Sequence, residues 1–132
     1  MPKPVKLINF GTDLKSETLA AIEAEHDVII TLVPVKASLN LKKHSTLIQV
    51  HDLIKYHMED FKEDFIINLP GLPIFAAFLV CELHAMTGRF PVILECSKNY
   101  DTEGMFGDLQ YKRLYNCERE RNQSREDFKG EK

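Results

Sequence analysis

Cysteine is too scarce here for a disulfide framework. Cys81, Cys96 and Cys117 form no C-x-x-C pair, and an odd number leaves one thiol over in any pairing. Neither sign of charge dominates: 17 Lys and Arg stand against 20 Asp and Glu, so no whole-molecule field draws in duplex DNA or an anionic membrane surface. Long apolar runs are also missing, since the longest, residues 69–81, is too short to span a bilayer and holds two prolines. The amino-terminal residues lead into a strand-like stretch without the pattern of a signal peptide. These absences predict a soluble cytoplasmic protein in a reducing compartment, bound to no membrane and no duplex DNA, with Cys81 and Cys96 as core thiols.

Catalytic and metal signatures are absent as well. The chain has no G-x-G-x-x-G after its first strand, no G-x-x-x-x-G-K-[ST], no H-E-x-x-H and no G-x-S-x-G elbow. His51 and His57 are six residues apart, on different helix faces, and His84 lies two from Glu82, so packed or solvent-facing histidines are expected in place of metal ligands. Cys96-Ser97-Lys98-Asn99 lacks the arginine that a cysteine phosphatase loop needs. Neither a metal nor a cofactor is predicted.

What is present is an alternation of apolar strands and helices. Residues 5–10, 28–35, 65–69 and 91–96 read as strands, the second of them just short of a sheet edge because Pro34 interrupts its ladder. Helices are predicted over 16–26, with Ser16 as cap and Leu19, Ile22, Ala20, Ala21 and Ala24 on one side, over 45–59 with Ser45 as cap, and over 72–87, closed by Gly88. Residues 36–44, with Lys36, Lys42, Lys43 and His44, and residues 97–108 read as loops, and 109–117 as a last strand. The chain then divides into one domain over 1–118 and a charged tail over 119–132, solvated or frayed. This order predicts an α/β fold: a single Rossmann-like domain with an open, mainly parallel sheet flanked by helices.

The helix over 72–87 is apolar around almost its whole circumference, which demands burial on every side. A sheet covers one face, so a second copy across a two-fold axis is expected on the other, the alternative being cover from the first helix or the tail. Parallel sheets bind ligands beyond the carboxyl ends of their strands. Asn9, Gly11 and Thr12 follow the first strand, Asn68, Pro70 and Gly71 the third, and Glu95, Ser97, Lys98 and Asn99 the fourth, giving a rim suited to phosphate at the amino terminus of the 72–87 helix. Each turn taken alone is explained as readily by turn chemistry.

Ile8-Asn9-Phe10, Val33-Pro34-Val35, Asn68-Leu69-Pro70-Gly71-Leu72 and Glu82-Leu83-His84-Ala85-Met86-Thr87-Gly88-Arg89-Phe90-Pro91 resemble the small CRISPR-associated Csx-fifteen proteins over residues 5–96, the tail and the lysine loop matching poorly. That resemblance implies a type III CRISPR setting in a prokaryote, a domain like the CRISPR-associated Rossmann-fold (CARF) sensors, and cyclic tetra-adenylate as ligand of a homodimer. With no effector module in the chain, the implied role is regulation of the signal, either as a sponge that sequesters the ring or as a metal-independent ring nuclease aligning a ribose 2′-hydroxyl, with Lys98, Ser97 or Thr12 stabilising charge. A protein-interaction module that binds no nucleotide is the remaining reading. Ring size, and whether ligand bridges dimers into larger assemblies, stay open.

Overall fold

The computed structural model describes residues 2–35, 39, 45–99 and 108–130, with backbone alone at 98, 99, 108 and 109. The lysine loop and residues 100–107 therefore lie outside the described residues, Leu39 excepted. Five strands, β1 (Lys3–Asn9), β2 (Val28–Pro34), β3 (Phe65–Asn68), β4 (Val92–Asn99) and β5 (Asp108–Asn116), form one sheet in the order β2-β1-β3-β4-β5. The first four are parallel and β5 runs antiparallel to β4. Four helices flank it: α1 (Ser16–His26), α2 (Thr46–Tyr56), α3 (Pro73–Thr87) and α4 (Cys117–Gly130). The architecture is a Rossmann-like, doubly wound α/β domain.

The pleat sorts neighbouring side chains onto opposite faces. Ile8 and Ile67 pack with Val50 and Ile54 of α2 and with Phe75, Leu79 and Leu83 of α3. Leu7 and Ile66 turn the other way, with Leu94, onto Ile22 of α1. Each fully buried aliphatic side chain stabilises the fold by about 1.5–3 kcal/mol relative to exposure. Two helices thus cover one face, while α1 is the main cover of the other.

Pro73 opens α3 at a position where a missing N–H costs nothing. Gly88, at φ +75°, ends it, its N–H donating to His84 O at 2.8 Å. The predicted burial on every side does not hold within one chain. Phe75, Leu79 and Leu83 are buried, but Ile74 is 47% exposed, and Ala77, Cys81 and Ala85 are exposed too. Neither α1 nor the tail covers this surface, because α1 packs on the opposite face and α4 buries no residue. Cys81 is accordingly a surface thiol and no core residue.

Other expectations need correction. β2 is the edge strand itself. Lys15, not Ser16, is the N-cap of α1, and Ala20, Ala21 and Ala24 face solvent, since Ile22 and Leu19 with Thr18 suffice to seat the helix. Residues 97–99 belong to β4, paired with Gln110, Leu109 and Asp108 of β5, so the strand runs past the predicted loop boundary. The tail is solvated but not frayed: α4 is helical, with Gln123 Nε2 donating to Asp127 Oδ1 (3.2 Å) and Lys129 Nζ to Glu126 Oε1 (3.5 Å) along its surface.

The amino-terminal end of the sheet is tied by a polar cluster. Lys6 Nζ donates to Asp60 Oδ1 at 3.0 Å, and His57 Nδ1 lies 3.3 Å from Asp60 Oδ2. The Lys6 hydrogen bond holds the Asp60 carboxyl below its ordinary value, partial burial opposes it, and the His57 bond adds to the lowering. A lowered folded-state pKa contributes stability that is present above the unfolded value, about 4, and is lost as pH falls through the folded one. Asp60→Asn should therefore lower the urea midpoint at pH 7 and flatten its decline between pH 5 and pH 3; equal acid sensitivity in the two proteins would contradict this role.

Candidate functional site

In strand order β2-β1-β3 the chain reverses direction between β1 and β3, and that reversal opens a crevice at the carboxyl ends of the two strands. Asn9 and Asn68, each the last residue of its strand, are register partners. Asn68 Nδ2 donates to Asn9 Oδ1 at 2.8 Å, Gly11 N donates to the same oxygen at 2.9 Å, and Asn9 Nδ2 donates to Thr12 O at 3.1 Å. The main chain continues the ladder past the strands, Phe10 N donating to Asn68 O (3.0 Å) and Val35 N to Asn9 O (2.9 Å). Asn9 is only 4% exposed, so its amide is a buried polar group with its bonds made inside the protein.

Gly11 is required by proximity. A Cβ there would stand 2.4 Å from Leu69 O and 3.1 Å from Asn68 Nδ2, so the β1 and β3 loops touch through their backbones. Gly71 has nothing within 4 Å of such an atom and lies exposed on the approach to α3. Thr12 is exposed, and only its backbone carbonyl takes part in the loop bonds. The predicted residues therefore split by role. Asn9, Asn68 and Gly11 build the loops, half-buried Pro70 lies beside them, and Thr12 and Gly71 remain available to a ligand.

The third predicted group is not level with the other two. Ile67 pairs with Ile93, which sets Asn68 beside Leu94 and places Ser97 three residues, about 10 Å, further along. Ser97 is exposed on a β4–β5 ribbon that rises above the rim. Lys98 and Asn99 share its backbone, and their side chains lie outside the described residues. Cys96 packs into the α1-side core, where burial pushes its thiol up from the ordinary value, against use as a nucleophile.

The side-chain caps expected at Ser16 and Ser45 do not form. α1, α2 and α3 all begin on this rim, and none has a side-chain hydrogen bond at its N-cap, Lys15, Ser45 or Leu72. Three positive dipole ends thus face the same side of the molecule. The signal was legible in part: the alternation of strand and helix already puts every helix start at the carboxyl rim.

His51, His57 and His84 each have a partner within the chain. His51 is exposed and 2.9 Å from Glu82 Oε2, His57 packs against Tyr56 and Asp60, and His84 lies on Phe90 with ring centroids 4.4 Å apart. Among the described residues no cluster of three or more His, Cys, Asp or Glu side chains is placed to hold a metal. No helix among them is long and apolar enough to cross a membrane. A cleft of about 850 Å³ opens at the opposite, amino-terminal end of the sheet, beside α4. No family model, curated protein or solved structure matches the chain.

The two glycines give a direct test of the close approach. Gly11→Ala should lower stability by about 1–3 kcal/mol, the range for forcing a methyl into filled space, whereas Gly71→Ala should stay within about 0.5 kcal/mol of the parent. Urea denaturation measures both, and equal effects would contradict the loop contact.

Proposed function

We propose that the protein binds a nucleotide phosphate at the β1/β3 rim, and that the ligand is cyclic tetra-adenylate held by a homodimer that lowers type III CRISPR signalling by sequestration. The observation that carries this reading is the rim itself: three helix amino termini without side-chain caps beside a crevice braced by the Asn9–Asn68 pair. A ring of phosphates needs several such amide-lined turns. The identity of the ring follows from the resemblance to the Csx-fifteen proteins and from nothing else.

Dimerisation through α3 is supported by its exposed apolar surface, Ile74, Ala77 and Cys81, continued by Leu72 before it and by Ile48 on neighbouring α2, 60% exposed. A two-fold axis there would place two rims side by side, matching a symmetric ligand. Binding is favoured over cleavage because Asn9, Gly11, Thr12, Asn68, Pro70, Gly71 and Ser97 carry no group that titrates near neutrality, and the Asn9 and Asn68 amides already bond to each other.

Incubating excess protein with labelled cyclic tetra-adenylate, then denaturing it and resolving the RNA, separates the readings. Intact ring, retained on the native protein before denaturation, is the expected result. Linear di- or tetra-adenylate would replace the sponge with a ring nuclease, and no retention together with no calorimetric heat would leave a protein-interaction module. Thr12→Val should weaken retention without changing the dimer, and Ile74→Asp should yield monomers in sedimentation.

A further inference from the structure

The uneven cover of the sheet leaves a second surface that the rim does not use. On the α1 face, toward the amino-terminal ends of the strands, Val5, Val28, Ile66, Val92 and Leu114 line the floor of the cleft of about 850 Å³. Its outer wall is α4, which contributes Arg119, Asn122 and Gln123. α4 stands beside this floor without filling it, since it buries no residue and its single large apolar side chain, Phe128, is 68% exposed. An occupant must therefore bring its own apolar surface.

The charges at the mouth select the other half of that occupant. The acidic groups lining the cleft are engaged: Asp64 with Lys3, Glu118 Oε2 accepting from Phe90 N at 3.3 Å, and Glu126 from Lys129 at 3.5 Å. Arg89 and Arg119 enter hydrogen bonds through main-chain atoms, Arg89 N donating to Thr87 Oγ1 (3.2 Å) and Arg119 N to Asn116 Oδ1 (3.1 Å). Among the described residues neither guanidinium has an ion-pair or hydrogen-bond partner, so two planar cations edge an apolar trough. Guanidinium groups pair with carboxylates in bidentate fashion. The volume falls within the usual range for small-ligand sites, where an apolar lining with a few polar groups is the common pattern.

We propose that this cleft is a second binding site, separate from the rim, for an amphiphilic carboxylate whose hydrocarbon body lies on the sheet and whose head group bonds Arg89 and Arg119. The test uses the full chain and dodecanoate below its micellar concentration, with dodecyltrimethylammonium as the cationic counterpart, read by calorimetry. Saturable binding of one dodecanoate per chain is expected, with the cation much weaker. The double variant Arg89→Gln/Arg119→Gln, which changes exposed side chains only, should weaken binding about tenfold or more, and Lys55→Gln, an exposed cation on the far face, should leave it unchanged. Equal affinity for the cation would overturn the proposal. So would indifference to the arginine substitutions, an equal loss with Lys55→Gln, or no binding. None of these outcomes bears on cyclic tetra-adenylate at the rim.

Discussion

The hydrogen bond from Asn68 Nδ2 to Asn9 Oδ1 is the constraint from which the rest of the rim follows. The buried Asn9 side chain must be satisfied once water is excluded, and Asn68 supplies a donor to its oxygen. Asn9 then has an amide left for Thr12 O and an oxygen shared with Gly11 N, which folds the β1 loop back on the β3 loop. Closeness of the loops in turn forbids a Cβ at position 11. A rim fixed by internal bonds pays little ordering entropy when a ligand arrives, which is the physical reason to look for recognition there.

Behind that rim the two faces of the sheet are finished differently. α2 and α3 seal one face but leave an apolar outer surface on α3, while α1 alone cannot cover the other, and α4 stands beside the gap without packing into it. Both exposed surfaces come from one imbalance: five strands with three apolar helices, and a fourth that is polar all round. The first is the surface proposed to meet a second copy of the chain; the second, bounded by arginines, is the one proposed for a smaller occupant.

How much could be read in advance depended on the range of the interactions. Strand-helix alternation, Pro73 and Gly88 are local signals, and they place β1 to β4, α3 and its end within a few residues. Ser97-Lys98-Asn99 has turn-like composition, yet it is strand, because pairing with β5 decides where β4 ends. An all-apolar helix carries no periodicity to say which side meets the sheet, so the exposure of Cys81 and the burial of Leu79 were not legible. α4 has no apolar stripe at all, and its helix rests on charge and amide pairs one turn apart. In the sequence the asparagines read as ligand contacts, but their partnership spans 59 residues and only the fold reveals that they hold the loops.

The central claim is that nucleotide is bound at the β1/β3 rim. Backbone amide shifts recorded while cyclic tetra-adenylate is titrated into the isotopically labelled protein test it most directly. Thr12, Gly71 and Ile74 should show the largest saturable changes, with Phe90 and Asn116 at the opposite end of the sheet unmoved. Changes confined to Phe90 and Asn116, or none anywhere, would contradict the account.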